Sequence, residues 1–122
     1  MTTVLVAEDD RELLEMYELW LGDRGDWTTR TATDGDEALA QFDGAVDVAV
    51  LDRRMPNTSG DEVARQIKSS PHDCEVVIAS AYQPDGNIDD GTYDTYLTKP
   101  VQMSGLLDAV RARLSESPPA DH

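Results

Sequence analysis

Residues 4–10 read Val-Leu-Val-Ala-Glu-Asp-Asp, an apolar run that ends abruptly in three adjacent carboxylates. A nearly continuous apolar run is typical of a parallel strand that helices cover on both faces. Asp9 and Asp10 cannot share a small volume as anions without mutual repulsion, which raises a carboxylate pKa unless a cation is present. A hard divalent ion such as Mg²⁺ prefers oxygen ligands of this kind. The stretch therefore predicts a first strand with a cation site at its carboxyl end.

Three later apolar runs also end in polar side chains, which are Asp52, Ser80 and Lys99. In an open parallel sheet, ligands bind beyond the carboxyl ends of the strands. We therefore expect an acid pair, a single acid, a hydroxyl and an amine to meet at one edge of the sheet. This combination of groups is suited to phosphoryl transfer.

Strands and helices alternate along the chain. The predicted strands are residues 4–8, 27–32, 46–51, 75–79 and 94–98. The predicted helices are residues 11–21, a second one after the turn at 34–36, then 61–69 and 103–114. This alternation predicts an α/β fold, a doubly wound parallel sheet with right-handed crossovers. We expect one domain over residues 1–114 and a tail or the start of a linker over residues 115–122.

The composition indicates a folded, strongly acidic chain. The 122 residues include 25 acidic and 10 basic side chains, which give a formal net charge of −15. Such a charge argues against direct binding to nucleic acid or to an anionic membrane. A salt-rich cytoplasm, whose ions screen the repulsion, and an ordinary acidic surface are both compatible with it. We expect a cytoplasmic location, because the sequence has neither a membrane-span-length apolar run nor a signal peptide.

The motifs at the strand ends together resemble the receiver domain of two-component response regulators (the CheY-like superfamily). Four of them carry the resemblance, which are residues 8–10, residues 51–56 followed by Gly60, residues 80–81 and residues 96–100. The resemblance implies a flavodoxin-like five-stranded sheet of order 2-1-3-4-5. It also implies phosphorylation by a histidine kinase or phosphotransfer protein, a downstream output domain or effector, and a homodimer on phosphorylation.

The resemblance assigns the acceptor and the metal ligands. Asp52 resembles the aspartate that attacks phosphorus and becomes an aspartyl phosphate, a covalent intermediate. Asp9 and Asp52 would bind Mg²⁺ directly, Asp10 would bind it partly through water, and the carbonyl of Arg54 would supply another oxygen.

The resemblance also assigns the residues that respond to the phosphoryl group. Lys99 would pair with Asp52 and then with the phosphoryl group, and the peptide before Pro100 is usually cis in this family. Ser80 would donate a hydrogen bond to a phosphoryl oxygen, and Tyr96 would rotate inward behind it.

The segment 80–96 departs from the family pattern. A typical receiver has its fourth helix here, but Pro84, Gly86 and Gly91 disfavour a helix interior and Ile88 is the clear apolar anchor. We expect this helix to be missing or reduced to about one turn. Because receivers usually dimerise through the face that this helix builds, its loss puts the usual dimer and the usual role of Tyr96 in doubt.

Arg54 and Tyr82 stand two positions beyond Asp52 and Ser80, respectively. The resemblance implies that these positions flank the path of the water that hydrolyses the aspartyl phosphate. We hypothesise that this bulky pair slows loss of the phosphoryl group.

Two other functions are compatible with parts of the pattern. A Mg²⁺-dependent phosphohydrolase also uses acidic strand ends, but Arg53 and Arg54 follow Asp52 where such an enzyme needs a second acid. A receiver fold that takes no phosphate and serves only for docking is the third possibility. The leading interpretation is a signalling switch rather than an enzyme with a diffusible substrate, acting alone or as part of a longer regulator.

Overall fold

A computed structural model of the chain describes residues 2–22, 27–86, 88 and 91–116, with side chains up to residue 112. The described part contains five strands: β1 (Thr2–Ala7), β2 (Trp27–Ala32), β3 (Val48–Asp52), β4 (Glu75–Ser80) and β5 (Thr95–Thr98). It also contains four helices: α1 (Arg11–Gly22), α2 (Gly35–Gln41), α3 (Gly60–Ser69) and α4 (Met103–Glu116).

The five strands form one parallel sheet in the order β2-β1-β3-β4-β5. The predicted fold class and strand order are therefore confirmed. β3 lies at the centre of the sheet, and its last residue, Asp52, is in register with Ala79 of β4. Ser80, the last residue of β4, is in register with Thr98 of β5. The register thus brings the predicted acceptor, hydroxyl and lysine strand ends to the same edge.

The core has two layers because alternate side chains of each buried strand point to opposite faces of the sheet. On one face, β-strand residues such as Leu5, Leu51 and Ile78 pack with Ala38 of α2 and Ile67 of α3. The other layer joins the sheet to α1 and α4, and includes Val4, Val50, Val77, Leu14, Tyr17, Leu106 and Val110. Covering on both faces explains why β1, β3 and β4 are nearly continuous apolar runs.

Three local constraints shape the loop from β3 to α3 and the first turn of that helix. Asn57 has a φ of 71°, a left-handed conformation that asparagine tolerates better than most residues. Ser59 caps α3 by accepting a hydrogen bond from the amide of Glu62 at 3.2 Å. The first turn of α3 approaches the sheet so closely that a Cβ atom at Gly60 would lie 1.9 Å from the carbonyl oxygen of Asp52. Glycine is therefore required where the helix begins.

The described residues between β4 and β5 contain no helix, which confirms the expectation drawn from the prolines and glycines of this segment. Ile88 anchors the segment, since its side chain is buried in the layer shared with α2 and α3. Near the end of the segment, Asp94 accepts a hydrogen bond from the amide of Val76 at 2.8 Å and pairs with Lys68 at 2.5 Å. The side chains of Ile88 and Asp94 therefore hold the segment against the rest of the domain before β5 begins.

Element boundaries differ from the predicted ones by a few residues at several ends. α4 continues through Glu116, two residues beyond the predicted end of the helix at residue 114. β3 begins at Val48, and the carboxylate of Asp47 just before it accepts a hydrogen bond from the amide of Thr3 at 2.9 Å. Within the described ranges, the helices are too short or too polar to cross a membrane.

Candidate functional site

The site is centred on Asp52, at the end of the central strand. Asp52 and Glu8 are both buried, and Asp9 beside them is exposed. Each of the three offers a carboxylate oxygen, and these oxygens lie within 4.8 Å of one another. The cluster forms because β1 and β3 are neighbours in the sheet and end at the same edge.

Lys99 connects this cluster to β5. Its Nζ atom lies 2.6 Å from Oε1 of Glu8 and 3.6 Å from Oδ2 of Asp52. Burial lowers the pKa of Lys99, but the hydrogen bond to Glu8 and the charges of Asp52 and Glu8 outweigh it, so the pKa is raised overall. Lys99 therefore stays an ammonium. The Lys99–Pro100 peptide is cis, as the resemblance implied.

The acceptor candidate has an unusual protonation equilibrium. Burial and the negative charge of Glu8 raise the pKa of Asp52 to about 7, and Lys99 offsets this only in part. Three carboxylates face one ammonium, so negative charge remains uncompensated when all are ionised. Added positive charge is what the cluster needs to keep Asp52 ionised.

The donor set fits Mg²⁺. The ion takes carboxylate oxygens together with water and phosphate, and Glu8, Asp9 and Asp52 offer carboxylate oxygens close enough to share one ion. The exposure of Asp9 leaves one side of the cluster open to solvent, where water and a phosphoryl group can complete the coordination.

The structure does not bring Asp10 into this cluster. Oδ1 of Asp10 accepts hydrogen bonds from the amides of Glu12 at 3.0 Å and Leu13 at 3.4 Å, so the side chain caps α1. The amide of Asp10 in turn donates to Oε2 of Glu8 at 3.1 Å. The geometry therefore favours Glu8 over Asp10 as the carboxylate that joins Asp9 and Asp52. The sequence showed Glu8 only as one of three adjacent acids after the buried strand.

Ser80 and Tyr96 lie on the adjoining strands. Ser80 is buried, and its Oγ accepts a hydrogen bond from the amide of Tyr82 at 3.1 Å. The Tyr96 hydroxyl donates to the carbonyl oxygen of Tyr82 at 2.6 Å. Both predicted switch residues therefore contact the start of the helix-free segment that follows β4.

Arg53 is a buried residue that no sequence pattern placed in a network. Its guanidinium binds both carboxylate oxygens of Asp61, with Nε–Oδ1 at 2.9 Å and Nη2–Oδ2 at 2.8 Å. It also donates to Asp85 at 3.1 Å and to the Tyr96 hydroxyl at 3.3 Å. These partners lie 8, 32 and 43 positions away in the chain, so no local pattern relates them.

The side chain of Arg54, unlike that of Arg53, is exposed to solvent. Its guanidinium carbon lies 4.0 Å from the centroid of the Tyr82 ring, a cation–π contact. The two residues that the sequence hypothesis paired are thus in direct contact. The proposed use of the Arg54 carbonyl as a metal ligand stays a prediction.

Comparison with known proteins agrees with this site. Residues 4–111 match the family described as the response regulator receiver domain. A relative from Haloferax volcanii is 42% identical over 115 residues, which are 93% of this chain and 19% of that protein. The sensory transduction protein RegX3 of Mycobacterium tuberculosis is 34% identical over 120 residues, 93% of this chain and 51% of that protein. The chain thus spans about half or less of the length of these relatives.

Solved structures give the same result. The response regulator TrrA of Thermotoga maritima, solved in complex with Mg²⁺-BeF, is 30% identical with a TM-score of 0.81, covering 93% of this chain and 99% of that one. A CheY-like receiver domain protein of Methanospirillum hungatei has a TM-score of 0.86 with 95% of each chain covered, and its 21% identity shows the shared fold. The match over residues 4–111, on a fold with this acidic strand-end site, shows that the chain belongs to the response regulator receiver domain family.

Proposed function

We propose that Asp52 of this receiver domain accepts a phosphoryl group from a histidine kinase or phosphotransfer protein, with Mg²⁺ held by Glu8, Asp9 and Asp52. The observation that carries the proposal is the carboxylate cluster itself, with Lys99 paired to Glu8 and Asp52 at its centre. A cluster of like charges around a central carboxylate is unfavourable for stability and useful for binding a cation and a phosphoryl group.

In the proposed step, a carboxylate oxygen of Asp52 attacks the phosphorus of a phosphohistidine. An O–P bond forms as the P–N bond breaks, and the imidazole leaves with the electron pair. Lys99 stays near Asp52 and the phosphoryl group during the transfer, because its ammonium can exchange a contact with Asp52 for one with a phosphoryl oxygen. Glu8 keeps Lys99 oriented through the 2.6 Å contact.

Mg²⁺ bound by the three carboxylates would neutralise charge on the phosphoryl oxygens, which is the main electrostatic requirement of phosphoryl transfer. It would also keep Asp52 ionised by opposing the charge of Glu8 that raises its pKa.

The downstream step is a change of conformation. Ser80 would exchange its contact with the amide of Tyr82 for one with a phosphoryl oxygen, and the segment after Ser80 would move with it. Because the relatives are longer than this chain, we propose that an output domain or a separate effector reads that movement. Since kinases of this kind use ATP, we also propose a cytoplasmic location.

A second feature supports docking of the phosphoryl donor beside the site. A cavity of about 370 Å³ lies between α1 and the loop after β5, and its lining is mainly apolar: Leu13, Met16, Tyr17, Ala81, Lys99, Pro100 and Val101. A partner helix that inserted an apolar side chain here would bring its histidine close to Lys99 and the acceptor.

The test is incubation with acetyl phosphate and Mg²⁺, followed by intact-mass measurement. We expect one phosphate adduct on the wild type and none on Asp52→Asn, since the amide is a poor nucleophile. Omitting Mg²⁺ should abolish the adduct. An adduct of equal yield on Asp52→Asn would place the acceptor elsewhere and contradict the proposal.

The same preparation distinguishes the hydrolase alternative. A phosphohydrolase would turn over many equivalents of simple phosphomonoesters, whereas the proposed switch would release about one phosphate per adduct formed. Steady turnover of such esters that is lost in Asp52→Asn would favour the hydrolase.

A further inference from the structure

We propose that Arg53 is a positioning residue of the switch. It ties the end of the acceptor strand to segment 81–94, which we call the helix-free segment because its described residues contain no helix. The proposal rests on the proposed phosphorylation of Asp52 and names the residue through which that event reaches the neighbouring segment. We call Arg53 with its three partners, Asp61, Asp85 and Tyr96, the Arg53 clamp.

The burial of Arg53 shows that its charge is committed to specific partners. Only 8% of the residue is exposed, and an unpaired guanidinium at this depth would be strongly unfavourable. The two parallel bonds to Asp61 fix the plane of the guanidinium against the first turn of α3. The neighbour of the acceptor is therefore held rigidly on one side.

The other side of the same guanidinium reaches the helix-free segment. Nη2 lies 3.1 Å from Oδ1 of Asp85, and Nη1 donates to the hydroxyl of Tyr96 at 3.3 Å. That hydroxyl donates in turn to the carbonyl oxygen of Tyr82 at 2.6 Å. Arg53 thus contacts the segment directly at residue 85 and indirectly at residue 82.

These contacts stand where other members of the fold have a helix. A helix would hold its own shape through a ladder of internal hydrogen bonds. The described residues of segment 81–94 contain no helix, and the backbone bond inside it runs from the amide of Ile88 to the carbonyl oxygen of Asp85 at 3.3 Å. Side-chain contacts, those of Arg53 among them, therefore help to determine where the segment lies. Because Arg53 follows Asp52 directly, any displacement of the acceptor loop also displaces the group that holds the segment.

Phosphorylation has a second way to move the segment, through Ser80. The Oγ atom of Ser80 accepts a hydrogen bond from the amide of Tyr82 at 3.1 Å. The segment could therefore follow Ser80 alone when Ser80 turns to the phosphoryl group. The two routes give different expectations for a variant that opens the clamp and leaves Ser80 untouched. Asp85 is suitable for this variant because its side chain is half exposed, whereas replacing Arg53 would leave the partly buried Asp61 without this arginine.

The experiment measures hydrogen–deuterium exchange of peptides covering residues 81–94, with and without Mg²⁺ and beryllofluoride as the phosphoryl mimic. We expect the mimic to change exchange of these peptides in the wild type. In Asp85→Ala this change should be about threefold to tenfold smaller, while the affinity for the mimic stays within about twofold. Asp85→Glu keeps the charge and should restore most of the response.

Two further variants complete the design. Asp43→Ala also removes an exposed acid paired with an arginine, Arg30 at 3.0 Å, but lies outside the clamp, so it should respond like the wild type. Tyr96→Phe removes only the hydroxyl that joins Arg53 to Tyr82, and it should also reduce the response.

The outcomes separate the two proposals. If Asp85→Ala and Tyr96→Phe bind the mimic and respond as fully as the wild type, the segment follows Ser80 alone and the role of Arg53 is refuted. If the wild type binds no mimic in the presence of Mg²⁺, the proposed function fails first, and the clamp loses the event that it would transmit.

Discussion

Glu8 and Asp10 stand two positions apart at the end of β1, yet the structure gives them different roles. Glu8 faces Asp52 and Lys99, whereas Asp10 caps α1. We expect Glu8→Gln to weaken Mg²⁺ binding at least about tenfold, because it removes a ligand charge next to the metal. Asp10→Asn should weaken it less than about threefold, since asparagine caps a helix as well as aspartate does.

Calorimetric titration of both variants with Mg²⁺ decides between the two assignments. Each variant removes one negative charge and keeps side-chain size, so the general effect of charge cancels in the comparison. An equal loss of Mg²⁺ affinity in both variants would show that binding depends only on the total charge near the site. A larger loss for Asp10→Asn would restore Asp10 to the ligand set and remove Glu8 from it.

The sequence could not separate these two acids for a physical reason. Three adjacent carboxylates all follow the strand, and which of them turns toward Asp52 depends on where the strand ends and where the helix begins. Here β1 ends at Ala7 and α1 begins at Arg11, so Asp10 is left at the cap position. Asp52 and Lys99 were predictable because single polar groups at strand ends have no such ambiguity.

The contact between Arg54 and Tyr82 leads to a prediction about the lifetime of the phosphorylated state. The two residues stand two positions beyond Asp52 and Ser80, and the guanidinium carbon of Arg54 lies 4.0 Å from the centroid of the Tyr82 ring. We expect Arg54→Ala with Tyr82→Ala to shorten the phosphoryl half-life about twofold to fivefold, the effect of losing one exposed cation–π contact. Radiolabel loss after removal of the donor measures this half-life.

A matched variant shows whether stacking is responsible. Tyr82→Phe keeps the ring and removes only the hydroxyl, so its half-life should equal that of the wild type. An unchanged half-life in the double variant would rule out any role of the pair in shielding the acceptor from water.

At the scale of elements, the junction of β3 and α3 depends on one glycine. A Cβ atom at Gly60 would lie 1.9 Å from the carbonyl oxygen of Asp52, a backbone atom that cannot move without shifting the acceptor strand. We expect Gly60→Ala to lower the free energy of unfolding by about 3 kcal/mol. Urea denaturation followed by circular dichroism measures the loss.

Gly105 provides the control, because alanine there should raise the free energy of unfolding. Gly105 lies inside α4, and a Cβ atom there has no neighbour within 4 Å. Alanine should therefore stabilise the helix by about 0.5–1 kcal/mol. If both substitutions changed stability in the same direction, close packing at Gly60 would not explain its requirement.

Most elements could be predicted because their determinants are local. The buried strands are continuous apolar runs, and Pro84, Gly86 and Gly91 indicated the missing helix. What replaces that helix could not be predicted, because Arg53 and Asp85 are 32 positions apart and meet only through the sheet topology. An arginine next to the acceptor is visible in the sequence, but its burial and its partners depend on the folded structure.

At the scale of the whole molecule, the net charge of −15 has a consequence for stability that no single contact determines. Compact folding brings like charges together, and the resulting repulsion destabilises the native state. Raising KCl from about 0.1 M to 1 M shortens the screening length from about 10 Å to about 3 Å. We expect the free energy of unfolding to rise by about 1–3 kcal/mol over this range. The reason is that salt screens many like-charge contacts, each of which costs a few tenths of a kcal/mol.

A variant with fewer charges tests whether screening is the cause. Glu15 and Glu18 are exposed and three positions apart on α1, so they are like-charge neighbours on one face of the helix. Glu15→Gln with Glu18→Gln should be more stable than the wild type at 0.1 M KCl and should gain less on addition of salt. A salt dependence identical to that of the wild type would instead indicate a general effect of salt on apolar burial, because that effect does not depend on surface charge.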